Sequence, residues 1–374
     1  MKPPSVVMLI ASFRPAIGGA ETQALEISRF LKDGGARVRV LTRRLPGTKS
    51  LETIEGVPVR RLFCPGGGML NSLWFMAASF GWLVVNGADY GVIHVHLAAS
   101  HALAACLAAR LTGKKVVVTV GGGAGIGELA ASSRTIGGRL KLSLLPFFAP
   151  KLLLVTPRQK PELEKYGLGG LAAEIFPNAV DTDKFSPPPP EEKLRLRRQL
   201  GLAEGIVFLY AGRLAPEKRL AEFIEVWAKA GRGAQFIIAG DGPEEYRIRA
   251  AAAGPGNVIV AGRADNIADY YRACDVFVLP SVSEGLSCAL LEAMACGMAV
   301  MATSNGGSGD AVAEGESGFL FDPLDAETIA AIIRKFISNP QLAAEMGAKA
   351  RKTAASRYDM KNAARALAGI YEGL

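Results

Sequence analysis

The sequence predicts an α/β fold made of two doubly wound halves, each built on a mainly parallel sheet. Short apolar runs alternate with helical stretches along most of the chain, which is the pattern of parallel sheets with crossover helices. The alternation stops in the turn-rich, proline-ending segment 176–190 and begins again at Ile206. A chain of 374 residues is also long for a single core. We therefore expect two domains joined by one linker.

In the first half, the apolar run Val6–Ile10 is continuous, as in a strand buried on both faces. In the next helix Ala24, Ile27 and Leu31 share one face, and the helix ends at Gly34. The same reasoning predicts further strands and helices in this half. The strands are 37–42, 57–63, 92–96, 115–120 and 152–155, and the helices are 69–86, 100–112 and a stretch from about 134.

In the second half, a helix with Leu220, Phe223, Ile224 and Trp227 on one face follows the first strand. The last 50 residues are predicted to be helical, with a break at Tyr358. The predicted strands are 206–211, 234–239, 258–260, 276–279 and 299–303. Ligands of such sheets bind beyond the carboxyl ends of the strands, so the loops that follow these strands are the candidates for a site.

Charge is unevenly distributed along the chain. Residues 1–176 hold 21 Lys and Arg against 10 Asp and Glu, a balance of +11, whereas the remainder holds 22 against 25, or −3. A basic half beside a nearly neutral one indicates that the first half meets an anionic partner. The five cysteines include no Cys-x-x-Cys pair, which favours reduced thiols in a cytoplasmic protein.

Neither a leader peptide nor a membrane span is expected from the sequence. The apolar run after Lys2 is short and is soon closed by Ser12 and Arg14. The longest apolar stretch, residues 69–85, falls short of the roughly 20 residues that a span needs.

The segment 280–297 is predicted to be a loop that leads from a strand into a buried helix. Ser287 is a suitable N-cap and Gly297 a suitable residue just beyond the end, which gives a helix of residues 288–296. Glu292 lies in the middle of this otherwise apolar helix. A buried carboxylate needs a partner, which is either a cation of the protein core or a ligand hydroxyl.

A second acid, Glu284, lies on the loop that leads to the start of this helix. Helix N-termini offer free N–H groups and the positive end of a dipole, which suit phosphate. Two acids on either side of an anion site match a ligand with both hydroxyls and phosphates. A nucleotide sugar is such a ligand.

Two cations follow the first strand of the second half. In the segment 210–218, Gly212 lets the backbone turn, and Arg213 and Lys218 place positive charge at the strand end. Arginine offers a fork that fits phosphate, and lysine offers a point charge. The alternative is a basic loop that simply faces solvent.

Taken together, these segments resemble glycosyltransferase family 4, the retaining enzymes of the GT-B fold. The acids Glu284 and Glu292 match the Glu-x7-Glu signature, and Gly212, Arg213 and Lys218 match Gly-Arg-x4-Lys. The remaining matches are Gly18-Gly19-Ala20-Glu21, the turn 238–243, the segment 260–263, Pro177-Asn178-Ala179 with Ala for the usual Gly, and 304–310 with Asp310 for the usual Glu.

The resemblance implies two Rossmann-like domains that face each other across a cleft. It implies an acceptor domain of residues 1–183, a nucleotide-sugar domain of 184–357, and a final helix, 358–374, that packs back on the first domain. It further implies hexosyl transfer with retention from a UDP- or GDP-linked sugar, in the synthesis of cell-surface polysaccharide or glycolipid. No cofactor and no metal are expected, because the donor is a substrate.

The resemblance also implies roles for single residues. Arg213 and Lys218 stabilise the departing diphosphate, Glu284 orients the donor sugar, and Glu292 accepts hydrogen bonds from ribose hydroxyls. The donor-binding set is Gly19, Gly212, Arg263, Gly285, Leu286, Ser287 and Glu292. The leaving-group oxygen itself is a candidate to take the acceptor proton on the same face.

One departure from the family affects the acceptor side. Many members carry a histidine after the strand that corresponds to 115–120, where this chain has Gly121 and Gly122. A backbone nest there can bind an oxygen, but it has no side chain to act as a histidine would. Glu21 and His96 are further candidates for the acceptor side. For His94 and His96, on one strand face, a structural role is favoured over a metal site, because no acid or cysteine nearby completes a ligand set.

Four other functions remain open from the sequence. A GT-B-like epimerase or phosphorylase would share the architecture, and a non-catalytic binding module would keep the basic loops but have little need of Glu284. The run Gly125–Ala130 loosely matches a dinucleotide fingerprint, but residues 141–155 lack the acid that an NAD-dependent oxidoreductase needs.

The acceptor is predicted to be a glycan or a polyprenyl-phosphate-linked sugar on the cytoplasmic membrane face, and no nucleic acid is expected. Within residues 134–151, Arg134, Arg139, Lys141 and Lys151 flank a run of leucines and phenylalanines. Such a stretch suits a peripheral contact with anionic lipid. The alternative is a helix that buries its leucines on the sheet and leaves its cations in water.

Overall fold

The computed structural model describes residues 4–123, 125, 127–264 and 266–374. They form two compact units: unit 1 is Met1–Asn178 together with Met360–Leu374, and unit 2 is Ala179–Asp359. The divisions lie at 178 and 359, a few residues from the predicted 183 and 357. Two contacts within unit 2 explain this placement. The N–H of Val180 donates to the carbonyl of Tyr358 at 2.8 Å, and the Thr182 hydroxyl donates to Asp359 at 2.6 Å.

Unit 1 contains an eight-stranded sheet in the order β3-β4-β2-β1-β5-β6-β7-β8. Its neighbouring strands are parallel, except that β3 and β4 form an antiparallel pair at one edge. The strands are β1 (Ser5–Leu9), β2 (Arg37–Arg43), β3 (Leu51–Ile54), β4 (Val57–Leu62), β5 (Val92–His96), β6 (Lys115–Val120), β7 (Lys151–Leu154) and β8 (Ala173–Ile175). The edge strands β3 and β8 were not predicted.

The helices that precede the linker in unit 1 are α1 (Gly19–Asp33), α2 (Gly68–Val85), α3 (His101–Thr112), α4 (Glu128–Ser133), α5 (Ile136–Phe148) and α6 (Lys160–Lys165). One core lies between the sheet and α2, α3 and α5, where Phe75, Ala105 and Leu145 pack on strand residues such as Val7 and Leu9. Because side chains alternate along a strand, the intervening residues face the opposite side of the sheet.

Unit 2 contains a six-stranded sheet in the order β11-β10-β9-β12-β13-β14, with every neighbouring pair parallel. The strands are β9 (Val207–Ala211), β10 (Gln235–Ala239), β11 (Val258–Gly262), β12 (Val276–Leu279), β13 (Ala299–Thr303) and β14 (Gly318–Phe321). The strand order reverses between β9 and β12. In open parallel sheets such a reversal marks the crevice where ligands bind.

The helices of unit 2 are α7 (Pro190–Gln199), α8 (Leu220–Ala230), α9 (Glu245–Ala252), α10 (Ile267–Ala273), α11 (Cys288–Ala295), α12 (Ser308–Ala311), α13 (Ala326–Ser338) and α14 (Pro340–Arg357). Helix α11 ends within one residue of its predicted bound. Helix α7 was not predicted: the proline run is extended at Pro189 but its last member, Pro190, starts a helix. Proline suits that first position because its missing N–H would have no helical partner.

The last helix, α15 (Met360–Glu372), belongs to unit 1. It packs beside α1 on the face of the sheet opposite α2 and α3. The hydroxyl of Tyr371 lies 2.6 Å from Nδ1 of His94 on β5, and Leu367 is fully buried.

Candidate active site

The switch point of unit 2 brings together two of the residues that the sequence singles out. Lys218 follows β9 and Glu284 follows β12, the two strands between which the strand order reverses. The ammonium of Lys218 donates to Oε1 of Glu284, and the buried Ser281 hydroxyl donates to the same oxygen at 3.0 Å. The two charged side chains remain 16% and 17% exposed. This ion pair is therefore fixed by neighbours yet open to solvent at the carboxyl edge of the sheet.

The loop that carries Arg213 is held by backbone and tyrosine contacts. The Tyr210 hydroxyl donates to the carbonyl of Arg213 at 2.9 Å, and the N–H of Gly212 donates to Ala239 on β10 at 3.0 Å. Burial raises the pKa of Tyr210 well above its usual value, and the nearby carboxylate of Glu284 raises it further. Tyr210 therefore stays a neutral donor, while the Arg213 residue itself is exposed.

The loop after β13 supports the loop that carries Glu284. The Thr303 hydroxyl donates to the carbonyl of Ser281 at 2.8 Å, and the Asn305 amide donates to that of Val282 at 3.0 Å. Gly306 has φ +67°, and a Cβ there would overlap the carbonyl oxygen of Glu284. Only glycine therefore allows this close approach of the two loops.

Glu292 of helix α11 lies next to Tyr271, so its surroundings are not purely apolar. The side chain of Ser287 caps the helix by accepting the N–H of Leu290 at 3.4 Å. Glu292 is half-buried and accepts a hydrogen bond from the hydroxyl of Tyr271 on α10. Burial raises the pKa of Tyr271, and the Glu292 carboxylate adds to the rise. Tyr271 is thus one partner of the carboxylate for which the sequence predicted a core cation or a ligand.

The remaining donor-side residues of unit 2 lie along the same carboxyl edge. Gly285 and Leu286 are buried between Glu284 and the start of α11. Arg263 is exposed just beyond β11, three strand positions from β12, so it lies far from the Lys218–Glu284 pair in the order of the sheet.

In unit 1, the candidate residues Gly19 and Glu21 lie in the first turn of α1, just after the loop that follows β1. Arg61 of β4 stabilises that loop by a hydrogen bond to its backbone. Arg61 is 2% exposed, and its guanidinium donates to the carboxylate of Glu52 and to the carbonyl of Arg14.

His96, a candidate for the acceptor side, is buried together with His94 and His101. The rings of His94 and His96 stack at 4.5 Å, and Nε2 of His101 lies 3.4 Å from the carbonyl oxygen of His96. Burial lowers the pKa of both His96 and His101 to about 4, and that of His94 well below its usual value. The three rings are therefore neutral near pH 7 and pack as part of the fold.

The glycine nest after β6 is already filled by an acid of the same unit. Glu128 accepts the N–H groups of Gly121 and Gly122 at 2.8 and 2.9 Å, and that of Ala98 at 3.3 Å. This finding corrects the expectation that the nest binds an oxygen of a ligand. The N–H of Gly125 likewise donates to Glu162 at 3.2 Å, so the pyrophosphate loop of a dinucleotide enzyme is not formed by these groups. Ala124 and Ile126 of this loop lie outside the described residues.

A buried lysine completes the network around Glu128. Lys141 donates to the carbonyl of Ala98 and to the hydroxyl of Ser132, at 2.6 Å for the latter. Burial lowers the pKa of Lys141 to about 8, and the carboxylate of Glu128 opposes that shift. Burial and the nearby Glu128 raise the pKa of Glu162.

Sequence reasoning missed four residues that shape these sites: Tyr210, Tyr271, Ser281 and Glu128. Of these, Ser281 carried a usable signal, since it comes just after a predicted strand end beside Glu284. Within the described part of the chain, no group of three or more His, Cys, Asp or Glu side chains is placed to hold a metal ion.

Comparison with known proteins adds two family matches. The family described as glycosyltransferase family 4 matches residues 17–184, and the one described as glycosyl transferases group 1 matches residues 192–353. The 2-deoxystreptamine glucosyltransferase of Streptomyces kanamyceticus is 28% identical over 94% of this chain and 98% of its own length.

A second relative matches more locally. It is the GDP-mannose-dependent alpha-(1-6)-phosphatidylinositol monomannoside mannosyltransferase of Mycolicibacterium smegmatis, 30% identical over 54% of this chain and 56% of its own length.

Among solved structures, the Anabaena protein HepE in complex with UDP and glucose superposes with a TM-score of 0.81. It is 21% identical, and the match covers 99% of this chain and 100% of that one. This likeness confirms the predicted GT-B fold with its two parallel-sheet domains.

Proposed function

We propose that the chain transfers a hexosyl group with retention from a UDP- or GDP-linked donor. The premise is that the chain belongs to glycosyltransferase family 4 and is therefore a glycosyltransferase that uses a nucleotide sugar. In this proposal unit 2 binds the donor and unit 1 receives the acceptor. The observation that carries the proposal is the ion pair of Lys218 and Glu284 at the switch point of unit 2.

The chemistry of transfer needs positive charge where the diphosphate departs. Lys218 and the neighbouring Arg213 supply it, and such preorganised charge is worth most where it meets charge that develops in the transition state. Glu284 holds the Lys218 ammonium in place and in turn accepts the Ser281 hydroxyl at 3.0 Å. Its second carboxylate oxygen is then suited to orient a hydroxyl of the donor sugar.

Retention requires that bond breaking and bond making occur on the same face of the sugar. We assign the acceptor proton to the departing phosphate oxygen, which becomes more basic as the glycosidic bond breaks. This assignment needs no separate base, which agrees with the neutral, buried state of His96. The nest at Gly121 and Gly122 is likewise occupied by Glu128.

Recognition of the nucleoside is assigned to Glu292. Its carboxylate accepts the hydroxyl of Tyr271, and since a carboxylate accepts several hydrogen bonds, we assign the ribose hydroxyls to the same group. Gly285, Leu286 and Ser287 lead into α11, whose N-terminus suits phosphate. Gly212 and Arg263 of unit 2 complete the donor side in this proposal, and we assign no cofactor or metal.

The acceptor we propose is a glycan or polyprenyl-phosphate-linked sugar at the cytoplasmic face of a membrane, in polysaccharide or glycolipid synthesis. We assign Glu21, in the first turn of α1, to the acceptor side. The excess of 11 positive charges in residues 1–176 supports an anionic or membrane-bound acceptor. Of the two relatives, the mannosyltransferase is named for a lipid-linked acceptor, a phosphatidylinositol monomannoside, whereas the glucosyltransferase is named for 2-deoxystreptamine.

The test is nucleotide release from a panel of UDP- and GDP-sugars, measured with and without a lipid-linked glycan acceptor. Release that rises with acceptor, and a product with the donor's anomeric configuration by NMR, supports retaining transfer. An epimerase would convert the nucleotide sugar without acceptor, and a phosphorylase would need inorganic phosphate. Either of those results would contradict the proposal.

A further inference from the structure

Helix α2 exposes an apolar surface that the described residues of unit 1 do not cover. Its 18 residues include no charged side chain, and those buried are Phe75, Ser79 and Leu83. On the outer side Met69 is 80% exposed, Trp74 47% and Val85 84%. A surface helix ordinarily turns polar side chains outward. A large apolar patch on a folded protein indicates a binding surface.

By length and composition alone, α2 is apolar enough to cross a membrane, with only 17% of its residues buried. Its connections show that it does not cross one. It joins β4 to β5, which lie in the same sheet, and Phe75 and Leu83 belong to the core beneath it. The helix therefore lies flat against the sheet, with one side in the protein core and the other side outward.

The neighbouring helices α3 and α5 continue the same surface. They lie in the same layer as α2, and each turns large apolar side chains outward. The exposed apolar residues of these two helices are Leu107, Leu111, Ile136, Leu140 and Phe147. We call the exposed side of α2, α3 and α5 the apolar face.

The charge of this face has one sign. Helices α2, α3 and α5 contain no aspartate or glutamate, whereas Arg110 and Arg139 are exposed on them and Arg134 is exposed just before α5. Apolar side chains interleaved with cations are typical of helices that lie at the interface of an anionic membrane.

The structure also shows which part of the predicted basic stretch belongs to this face. Lys141 is 2% exposed and is held inside by Ala98 and Ser132, and Lys151 pairs with Glu174 at 2.8 Å. Of the four cations in that stretch, only Arg134 and Arg139 remain for lipid. Helix α2, for which the sequence predicted no membrane contact, contributes the exposed apolar side chains of Met69, Trp74 and Val85.

We propose that the apolar face docks on an anionic lipid bilayer, with α2 lying in the membrane interface parallel to the surface. This docking rests on the proposed function for its biological meaning. It would place the enzyme at the membrane surface that carries the proposed acceptor. A second copy of the chain fits less well, since self-association would bring Arg110, Arg134 and Arg139 together with no acid on these helices to pair with them.

The experiment is flotation of the full chain with vesicles of phosphatidylcholine alone and with about 30% phosphatidylglycerol, at about 50 and about 500 mM NaCl, salts that change the screening length severalfold. We expect binding to the anionic vesicles that weakens at high salt. Tryptophan emission should shift to the blue on binding and be quenched by brominated lipid. Trp74→Phe should reduce this response, whereas Trp227 is fully buried and should not contribute to it. Absence of binding to anionic vesicles at low salt would overturn the proposal.

Two matched substitutions test whether vesicle binding depends on the apolar face or on any exposed apolar side chain. Leu73→Glu on α2 should weaken vesicle binding tenfold or more, while Leu194→Glu on α7 of unit 2 should leave it unchanged, since these leucines are 50% and 55% exposed. Arg139→Gln should reduce the salt dependence. Thermal unfolding of each variant checks that it folds. Equal vesicle binding by Leu73→Glu and the parent chain would also overturn the proposal.

Two further measurements keep docking separate from catalysis and from self-association. Nucleotide release by Leu73→Glu without vesicles should equal that of the parent chain, because docking is not part of the transfer step. If the parent chain binds vesicles but transfers no sugar, the proposed function is wrong and the docking proposal stands. If analytical ultracentrifugation shows a dimer that Leu73→Glu dissociates, and no vesicles bind, the face is an interface between copies and the membrane proposal is wrong.

Discussion

The loops at the carboxyl edges of the two sheets differ in whether their polar groups are exposed to solvent. The carboxyl edge of unit 2 keeps an ion pair, Lys218 with Glu284, partly exposed at the switch point. The carboxyl edge of unit 1 holds His96 and His101 as buried neutral rings. There the carboxylate of Glu128 already accepts three backbone N–H groups.

This difference shows that similar architecture does not give similar sites. Parallel sheets place loops at one edge, but the partners of each polar group decide whether that group is available to a ligand. In unit 2 the charges are held in place and remain partly exposed. In unit 1 the histidine rings are buried, and the Glu128 carboxylate is already taken up by backbone N–H groups of neighbouring loops, so these groups stabilise the fold.

The largest expected effect of a substitution is on the unit 2 edge. Lys218→Ala and Arg213→Ala should each lower turnover by about 100-fold or more, roughly 3 kcal/mol of transition-state stabilisation. The measurement is steady-state nucleotide release by purified protein with a matched unfolding midpoint. Lys229→Ala, an exposed lysine on α8 of the same unit, is the control and should keep the parent rate. Parent rates in both active-site variants would remove the diphosphate assignment.

The buried histidines at the unit 1 edge should make the free energy of unfolding depend on pH. The folded pKa of His96 and of His101 is about 4, below the ordinary value of about 6.5 in an unfolded chain. Between these values the unfolded state binds more protons, so stability is full above about pH 6.5 and is lost as pH falls toward 4. Each ring contributes roughly 2–3 kcal/mol to this loss.

Chemical denaturation at intervals from about pH 7 to pH 5 measures this loss before most carboxylates titrate. His96→Gln, which cannot titrate, should flatten the slope. A free energy of unfolding that stays level across this range would show that the rings are not held neutral by the fold.

The contact between Glu292 and Tyr271 yields a smaller effect. Glu292→Ala should weaken nucleoside diphosphate binding about tenfold, because it removes the acceptor assigned to the ribose hydroxyls, and should cost about 1–3 kcal/mol of stability through the unpaired Tyr271 hydroxyl. Tyr271→Phe keeps the carboxylate and should affect binding less. Calorimetric titration of folded protein measures both. An unchanged affinity per folded molecule in Glu292→Ala would assign Glu292 to the core alone.

The smallest effect is expected from Glu128→Gln. The amide keeps one acceptor oxygen for the glycine N–H groups but loses the charge-assisted bonds, which should lower the free energy of unfolding by about 1–2 kcal/mol. Donor binding should not change, since Glu128 lies in unit 1. Thermal unfolding and nucleotide titration on one sample check both statements. Weaker nucleotide binding with unchanged stability would contradict the structural role given to Glu128.

Much of the fold was predictable because apolar runs and turn residues determine strands and helices locally. Helix α11 is the clearest example, since Ser287 and Gly297 mark its ends in the sequence and in the structure. The edge strand β3 was not predictable, because its four residues, only partly buried, lack a clear apolar pattern. The exposure of α2 also depends on what packs on it, which periodicity alone does not give.

The site was predictable in its charged residues and not in their partners. Arg213, Lys218 and Glu284 follow predicted strands, so sheet geometry alone places them near one edge. The pairing of Glu292 with Tyr271 joins residues 21 positions apart on different helices, and the filling of the glycine nest by Glu128 depends on the path of its loop. Such contacts are set by tertiary packing, which local pattern does not encode.

The central claim is that the edge of unit 2 at Lys218 and Glu284 receives the donor diphosphate. Equilibrium titration of UDP and GDP into the parent chain, Lys218→Ala and Lys229→Ala tests it most directly. We expect at least one nucleotide to bind the parent and Lys229→Ala equally, and Lys218→Ala about tenfold or more weakly, as loss of a charge-assisted contact requires. Equal binding to all three folded proteins would contradict the claim.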